Sequence, residues 1–538
     1  MPEFSMNRRS FFSNALGRSQ TPFEKAVAPR PLNVTAGLEP YTQPLDRMTA
    51  LHLLRRTSFM PALGELPFVI GQTAQNVVAA LLFEGKSESE ITTPRAPTWV
   101  LETPKQPTTP TEQQDYNKKM NDLGNWWFNS MTASTLPYTL REKMTFFWHN
   151  HFPADRQKVQ IPHYIYWQND KFRRHRLDGK KADDPRIPTP THPFGNLKEL
   201  TRAMVSDPAM LIYLDNRANQ KNRPNENFAR EVMELFTLGI GNYTEQDVLE
   251  AARTLTGWNI IFNRNTKEYS LASGFFPALF DTGSKTIFGK TGNFDTDTLL
   301  DLIFEKDECA KFFARKLYKF FVYEIPDETI VTQLAQLLKT NNYELKPVLK
   351  TLLTSAHFFD EAFFGAQIKS PLDIISGLVR QFNIKNIPAR YSNDALRGLS
   401  LELFNPPTVE GWKGYHHWIN TSTFPLRQRI AEYLMDGKDY TGKNIVTVDD
   451  RGNAIPLKVD VLTFAKSFPS KDDAKQLVSD ISDFLLPAPL TEKQYDDLLG
   501  ELLQGTPAYE WNIESELAES RLRMLLKAIV RLPEFQLN

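Results

Sequence analysis

Apolar residues recur at helical spacing along most of this chain. DRMTALHLLRRTSF (46–59) and TAQNVVAALLFE (73–84) each gather their apolar positions on one face at 3.6 residues per turn. The same periodicity holds from residue 295 to the end, broken by a polar Gly- and Asp-containing loop around 436–458. Between these blocks, residues 260–292 are richer in Gly, Thr and aromatics and predict a loop or a short hairpin. Two Pro-rich insertions, 93–114 and 177–195, read as extended surface segments because proline cannot continue a helix. Residues 1–44 carry no sustained pattern and read as an irregular lead-in. The expected fold is mainly α: a large, multi-lobed helical array over 45–538 with long loops and at most a small hairpin. LKELTRAMVSDPAMLIYL (197–214), LKPVLKTLLTSAHFFD (345–360) and LRMLLKAIVRLPEFQ (522–536) share a helix-then-anchor pattern, read as convergence of amphipathic helices, with a repeated packing unit in a helical array as the alternative.

Length and composition narrow the class. A chain of 538 residues is too long for one ordinary core, which predicts two lobes. Lys plus Arg (63) nearly balances Asp plus Glu (64), so no overall field recruits nucleic acid or an anionic membrane. No apolar run is long enough to span a membrane. The single Cys309 excludes an internal disulfide and a cysteine-based zinc site; its amphipathic setting, KDECAKFFARKLYKFF, suits a small buried hydrophobe. Arg8-Arg9-Ser10-Phe11-Phe12 resembles a twin-arginine export signal, with Ala26-Val27-Ala28 as a cleavage site, but no sustained hydrophobic region follows it. Met1–Ser5 reads as a cloning remnant. A working signal predicts an exported, periplasmic protein, and without one the chain stays in the cytoplasm.

Three stretches carry candidate chemistry. From Tyr213 to Trp258, Asp215, Asn216, Asn219, Asn222, Asn225, Asn227, Glu231 and Glu234 concentrate short polar oxygens of the kind that divalent metals take, or that cap helices and shape turns. Pro224 and Asn225 predict a helix start and Gly239 or Gly241 its end. Phe228, Val232, Leu235 and Phe236 would share one face, and Asn227, Arg230, Glu231 and Glu234 the other. Two carboxylates one turn apart suit a metal or an acid/base pair; an Arg230–Glu234 ion pair on a solvated face is the plain alternative. Thr244 and Asp247 read as a capping box for the next helix, closed by Gly257.

In REKMTFFWHNHFP (141–153), His149 and His151 would point about 200° apart on a continuous helix. They converge only if the helix ends near Trp148, which Pro153 makes conceivable by biasing Phe152 to an extended backbone. In LFNPPTVEGWKGYHHWINTST (403–423), prolines and Gly411/Gly414 describe a rigid aromatic loop whose Trp412, Tyr415, His416 and Asn420 could line a cleft or pack one lobe on another. No Gly-rich phosphate loop, G-x-S-x-G elbow, H-E-x-x-H or C-x-x-C occurs.

FWHNHF (147–152), DPAMLIYLDN (207–216), PNENFAREVMELFTLGIGNYTEQDV (224–248), ARTLTGW (252–258), FDTGSKTIFGKTGNFD (280–295), KSPLDII (369–375) and FNPPTVEGWKGYHHWINTST (404–423) together resemble the bacterial family known as domain of unknown function 1800. LHLLRRTSF (51–59) and PEFQ (533–536) extend the resemblance over residues 45 to 538. It implies no established activity. It does imply frequent twin-arginine export and a neighbouring partner protein that resembles phosphatases and sulfatases. Phe280 departs from the family pattern, which has a histidine before the aspartate matching Asp281.

The leading expectation is a metal-dependent, hydrolytic enzyme. His149, His151, Asp215 and Glu231 would bind Zn, Mn, Fe or Ca. Asn225 and Asn227 would orient that shell, Glu234 would exchange protons, and Arg230 would stabilise developing negative charge. The rival is a non-catalytic binding or scaffold protein, with or without a structural calcium site between Asp215 and Glu231, acting with the phosphatase-like partner.

Overall fold

The computed structural model describes residues 30–87, 90–174, 194–448 and 451–538. The twin-arginine-like segment and most of the 177–195 insertion lie outside them. The described chain is mainly α, as the periodicity requires. Its strands form three small antiparallel pairs: Trp258–Asn263 with Glu268–Phe275, Lys285–Ile287 with Lys290–Gly292, and Val446–Val448 with Ala454–Pro456. The first two occupy the 260–292 stretch, and the third lies in the polar loop near 436–458.

Helix starts follow local chemistry. Thr109 accepts from the Glu112 N–H at 3.3 Å while Glu112 accepts from the Thr109 N–H at 3.0 Å, and Pro110 occupies the first turn. A 24-residue helix, Pro110–Ala133, therefore begins inside the segment read as Pro-rich loop. There the proline was a start signal and not a breaker. Thr244 and Asp247 form the expected box on Glu245–Thr254, and Ser370 and Asp373 form another on Pro371–Gln381.

Residues 34–538 group into one unit around a contiguous core running from Leu45 to Phe535. At its centre lies the histidine helix, Thr139–His151, buried at every position except Asn150. Its charges are answered internally. Glu142 takes two bonds from Arg173, at 2.8 and 3.0 Å, with Arg141 at 3.4 Å. Buried charges persist only when paired in this way.

Candidate functional site

The histidine helix does not end at Trp148. The Phe152 N–H still donates to Trp148 O at 2.8 Å, and the chain leaves helical geometry only at Phe152, next to Pro153. His149 and His151 thus stay on different sides of a continuous helix and do not converge. His149 lies between Trp127, Phe404 and Trp412, and the Phe404 N–H donates to its Nε2 at 3.3 Å. Burial alone pulls its imidazole down to about 3. His151 faces the other way, toward Phe236 and Phe313.

The Asn-rich segment resolves into an internal network. Asn216 Nδ2 donates to Leu255 O, and Asn219 Nδ2 donates to Asn216 Oδ1 and Ala252 O. Asn219 Oδ1 accepts the Asn225 N–H at 2.9 Å, and Asn225 Oδ1 accepts the Asn227 N–H at 3.1 Å as helix cap. The Asn225 and Asn227 amides donate to Asp215 O and Leu214 O. The Asn219 and Asn225 oxygens thus meet backbone donors, and the Asn216 oxygen meets the Asn219 amide. Asp215 pairs with Lys158 at 2.8 Å. Arg230 pairs with Glu226 and Glu245, at 3.2 and 2.7 Å, and not with Glu234, which accepts from Tyr243 Oη at 2.6 Å.

The expected helix after Asn225 is present but widens. Glu226–Glu231 is α-helical, and Val232–Thr237 is a π-helical turn in which Leu238 N–H reaches back to Met233 O. The extra residue per turn buries Met233 and leaves Leu235 half-buried. Glu231, expected on the polar face, is the last residue of the α-helical part and is buried. Among the described residues, no three His, Cys, Asp or Glu side chains gather so as to hold a metal ion. The residues expected to do so therefore do not fit one in this arrangement.

What the structure does bring together is a cleft of about 290 Å³ where the histidine helix, the lysine helix (Asp307–Phe321), the start of Pro371–Gln381 and the loop around Trp412 meet. Phe146, Phe147, Phe320, Trp412, Tyr415 and Trp418 give it aromatic walls. Of the loop residues expected to line a cleft, Trp412 and Tyr415 do so. His416 and Asn420 do not: Asn420 caps the turn into the Thr423–Met435 helix by accepting the Ser422 and Thr423 N–H groups.

Asn150 anchors that loop. Its Oδ1 accepts the Trp412 N–H at 2.6 Å and its Nδ2 donates to Trp412 O at 3.1 Å. Gly411 has φ +76°, and a Cβ there would lie 2.2 Å from Asn150 Oδ1, so only glycine permits the approach.

The cleft is basic. Arg56, Lys143, Lys316, Lys319 and Lys413 line it against Glu324, Asp373 and Glu410. Lys143 pairs with buried Asp373 at 2.5 Å and Lys319 with Glu324 at 3.2 Å, which leaves Arg56, Lys316 and Lys413 against Glu410. Lys316 Nζ sits 2.8 Å from His151 Nδ1 and donates to Leu235 O at 3.2 Å. His151 Nε2 lies 3.1 Å from Phe236 O, a carbonyl that can only accept. The proton is thus on Nε2, and Nδ1 accepts from the amine. Desolvation pulls Lys316 down to about 7, against a smaller opposing pull from Glu410. His151 is held well below its usual range, by burial first and by Lys316 second.

Sequence reasoning missed Arg56, Lys143, Lys316 and Asp373. The available signal was charge set against an aromatic run: Lys143 in REKMTFFW and Lys316 in FFARKLYKFF. A charge there must be answered or used.

Fold and site define an α-helical protein with an aromatic, basic cleft closed by a glycine-tryptophan loop. The chain belongs to the family described as "Protein of unknown function (DUF1800)", whose profile matches residues 52–537, nearly all of it. Comparison with curated proteins and with solved structures found no match.

Proposed function

We propose that the chain is a hydrolytic enzyme working in this cleft, with the Lys316 amine as the general base that activates water. The observation that carries the reading is the 2.8 Å contact between Lys316 Nζ and His151 Nδ1 on the wall of an aromatic cleft. A general base is most effective when it is half-deprotonated near working pH, a state that burial gives a lysine. His151, its tautomer fixed by Phe236 O, orients the amine so that a nitrogen lone pair faces the cleft once the proton is lost. No step is routed through a metal, because the donor set does not fit one.

A panel of chromogenic carboxylate, phosphate and sulfate esters tests this against pH. Turnover by wild type that rises with pH through about neutrality and vanishes in a folded Lys316→Met protein supports the proposal. Turnover unchanged in that variant ends it.

A second reading keeps the chain non-catalytic, as a binding partner of a phosphatase- or sulfatase-like protein. It is favoured by the Asn216–Asn227 network, whose side chains are engaged in internal hydrogen bonds. Under this reading the wild type turns over none of the panel and co-purifies with such a partner.

A further inference from the structure

One wall of the cleft holds a positive charge that no side chain in reach neutralises. Arg56 is buried; its Nη2 donates to Phe363 O at 2.7 Å, while Nε and Nη1 make no hydrogen bond. Among the described residues, buried Arg55, Arg173, Arg380 and Arg427 each make more hydrogen bonds than Arg56, although Arg55, Arg173 and Arg427 each also leave one N–H without a partner. Glu142 takes Arg173 and Glu65 takes Arg380, each through two bonds. Arg55 has three carbonyls, and Arg427 has Gln536 and the Lys369 carbonyl. Neither Arg55 nor Arg427 lines the cleft. The acid whose field reaches Arg56 is Asp373, and its oxygens are taken: Oδ1 by Lys143, Oδ2 by the Ser370 N–H and hydroxyl. A desolvated guanidinium with vacant donors is costly, and an incoming oxyanion offsets that cost through charge-assisted bonds.

Building on the cleft as the working site, we propose that Arg56 anchors an oxyanion subsite there. It takes the carboxylate, phosphate or sulfate of a small ligand whose ring lies against Phe320 and Trp412. Three features select this class. Lys316 and Lys413 add positive charge beyond what Glu410 balances, which favours an anion over a neutral molecule. The aromatic walls favour a flat or cyclic body. The volume of about 290 Å³ sits at the small end of ligand pockets and suits a metabolite-sized molecule, not a polymer.

Calorimetry on the full chain at fixed ionic strength, with benzoate, phenyl phosphate, phenyl sulfate and neutral benzamide as probes, tests the assignment and separates the three oxyanions. The expected result is saturable one-to-one binding of at least one anion, with benzamide at least about tenfold weaker. Arg56→Met should weaken the anion by about tenfold or more. Benzamide binding as tightly as the anions, Arg56→Met binding unchanged, or no saturable binding by any anion overturns the proposal. If Arg56→Met does not fold, the wild-type comparison of anions with benzamide decides alone. Failure of Lys316→Met to abolish turnover would sink the general-base reading while leaving these affinities, and this subsite, standing.

Discussion

Asn150 and Trp412 grip each other through both polar edges: the carboxamide oxygen takes the tryptophan's N–H and the carboxamide nitrogen its carbonyl. This pair fixes a loop to the central helix across 262 residues of sequence. Asn150→Ala leaves both backbone groups without these partners, which predicts a loss of about 1–3 kcal/mol. Gly411→Ala adds a left-handed backbone penalty of about 1–3 kcal/mol and a direct overlap with Asn150. Thermal unfolding with tryptophan fluorescence checks both. A Gly411→Ala protein as stable as wild type would show that the loop does not need this approach.

Burial pulls Lys316 from the ordinary lysine value of 10.5 down to about 7 in the folded chain. Below about 7 both folded and unfolded states hold the proton, and the folded state bears the cost of the buried ammonium. Between about 7 and 10.5 the unfolded state binds more protons, so this residue makes stability rise with pH across that window. Lys316→Met should flatten the rise in denaturant midpoint from pH 7 to 10 relative to wild type. A Met variant with an unchanged slope refutes the assignment.

His149 is held at about 3 by burial, against the ordinary histidine value of 6.5. Between about 6.5 and 3 the unfolded chain takes a proton that the folded chain refuses, and stability falls as pH falls through that range. His149→Phe keeps an aromatic side chain against Trp127 and Phe404 while removing the titration. Its midpoint should drop less than that of wild type between pH 7 and 4. A parallel drop in both proteins would assign the acid sensitivity elsewhere.

Lys143 and Asp373 form a buried ion pair, so removing either partner strands the other. Lys143→Met and Asp373→Ala should each cost about 3–5 kcal/mol. Asp373→Ala should cost more, because Asp373 also closes the capping box with Ser370. A double variant much less damaged than the sum of the two would confirm the coupling in chemical denaturation.

Asn219 ties three elements together through its amide. Asn219→Ala is expected to destabilise the fold by several kcal/mol at most and to leave bound-metal content unchanged. Loss of a stoichiometric ion in a folded Asn219→Ala protein, measured by elemental analysis, would revive a metal reading of this segment.

The 3.6-residue periodicity, the capping pairs Thr244/Asp247 and Asn225, and the positive-φ Gly257 were legible because each is local: a helix face or a cap depends on residues within a turn. The π-helical turn at Val232–Thr237 was not, because one extra residue per turn leaves no mark in composition.

The sequence by itself determined the helical class, the family and the aromatic loop, and it singled out three of the stretches that matter. The tertiary structure decided what those stretches do. Asn216 to Asn227 look like metal ligands in one dimension, yet in three the Asn219 and Asn225 oxygens meet backbone N–H groups and the Asn216 oxygen meets the Asn219 amide, an outcome set by chain geometry and not by residue type. Arg56, Lys143, Lys316 and Asp373 are far apart in sequence, and only packing brings them to one cleft. Their chemistry follows from desolvation and from which partner each charge finds, and both are properties of the folded chain alone.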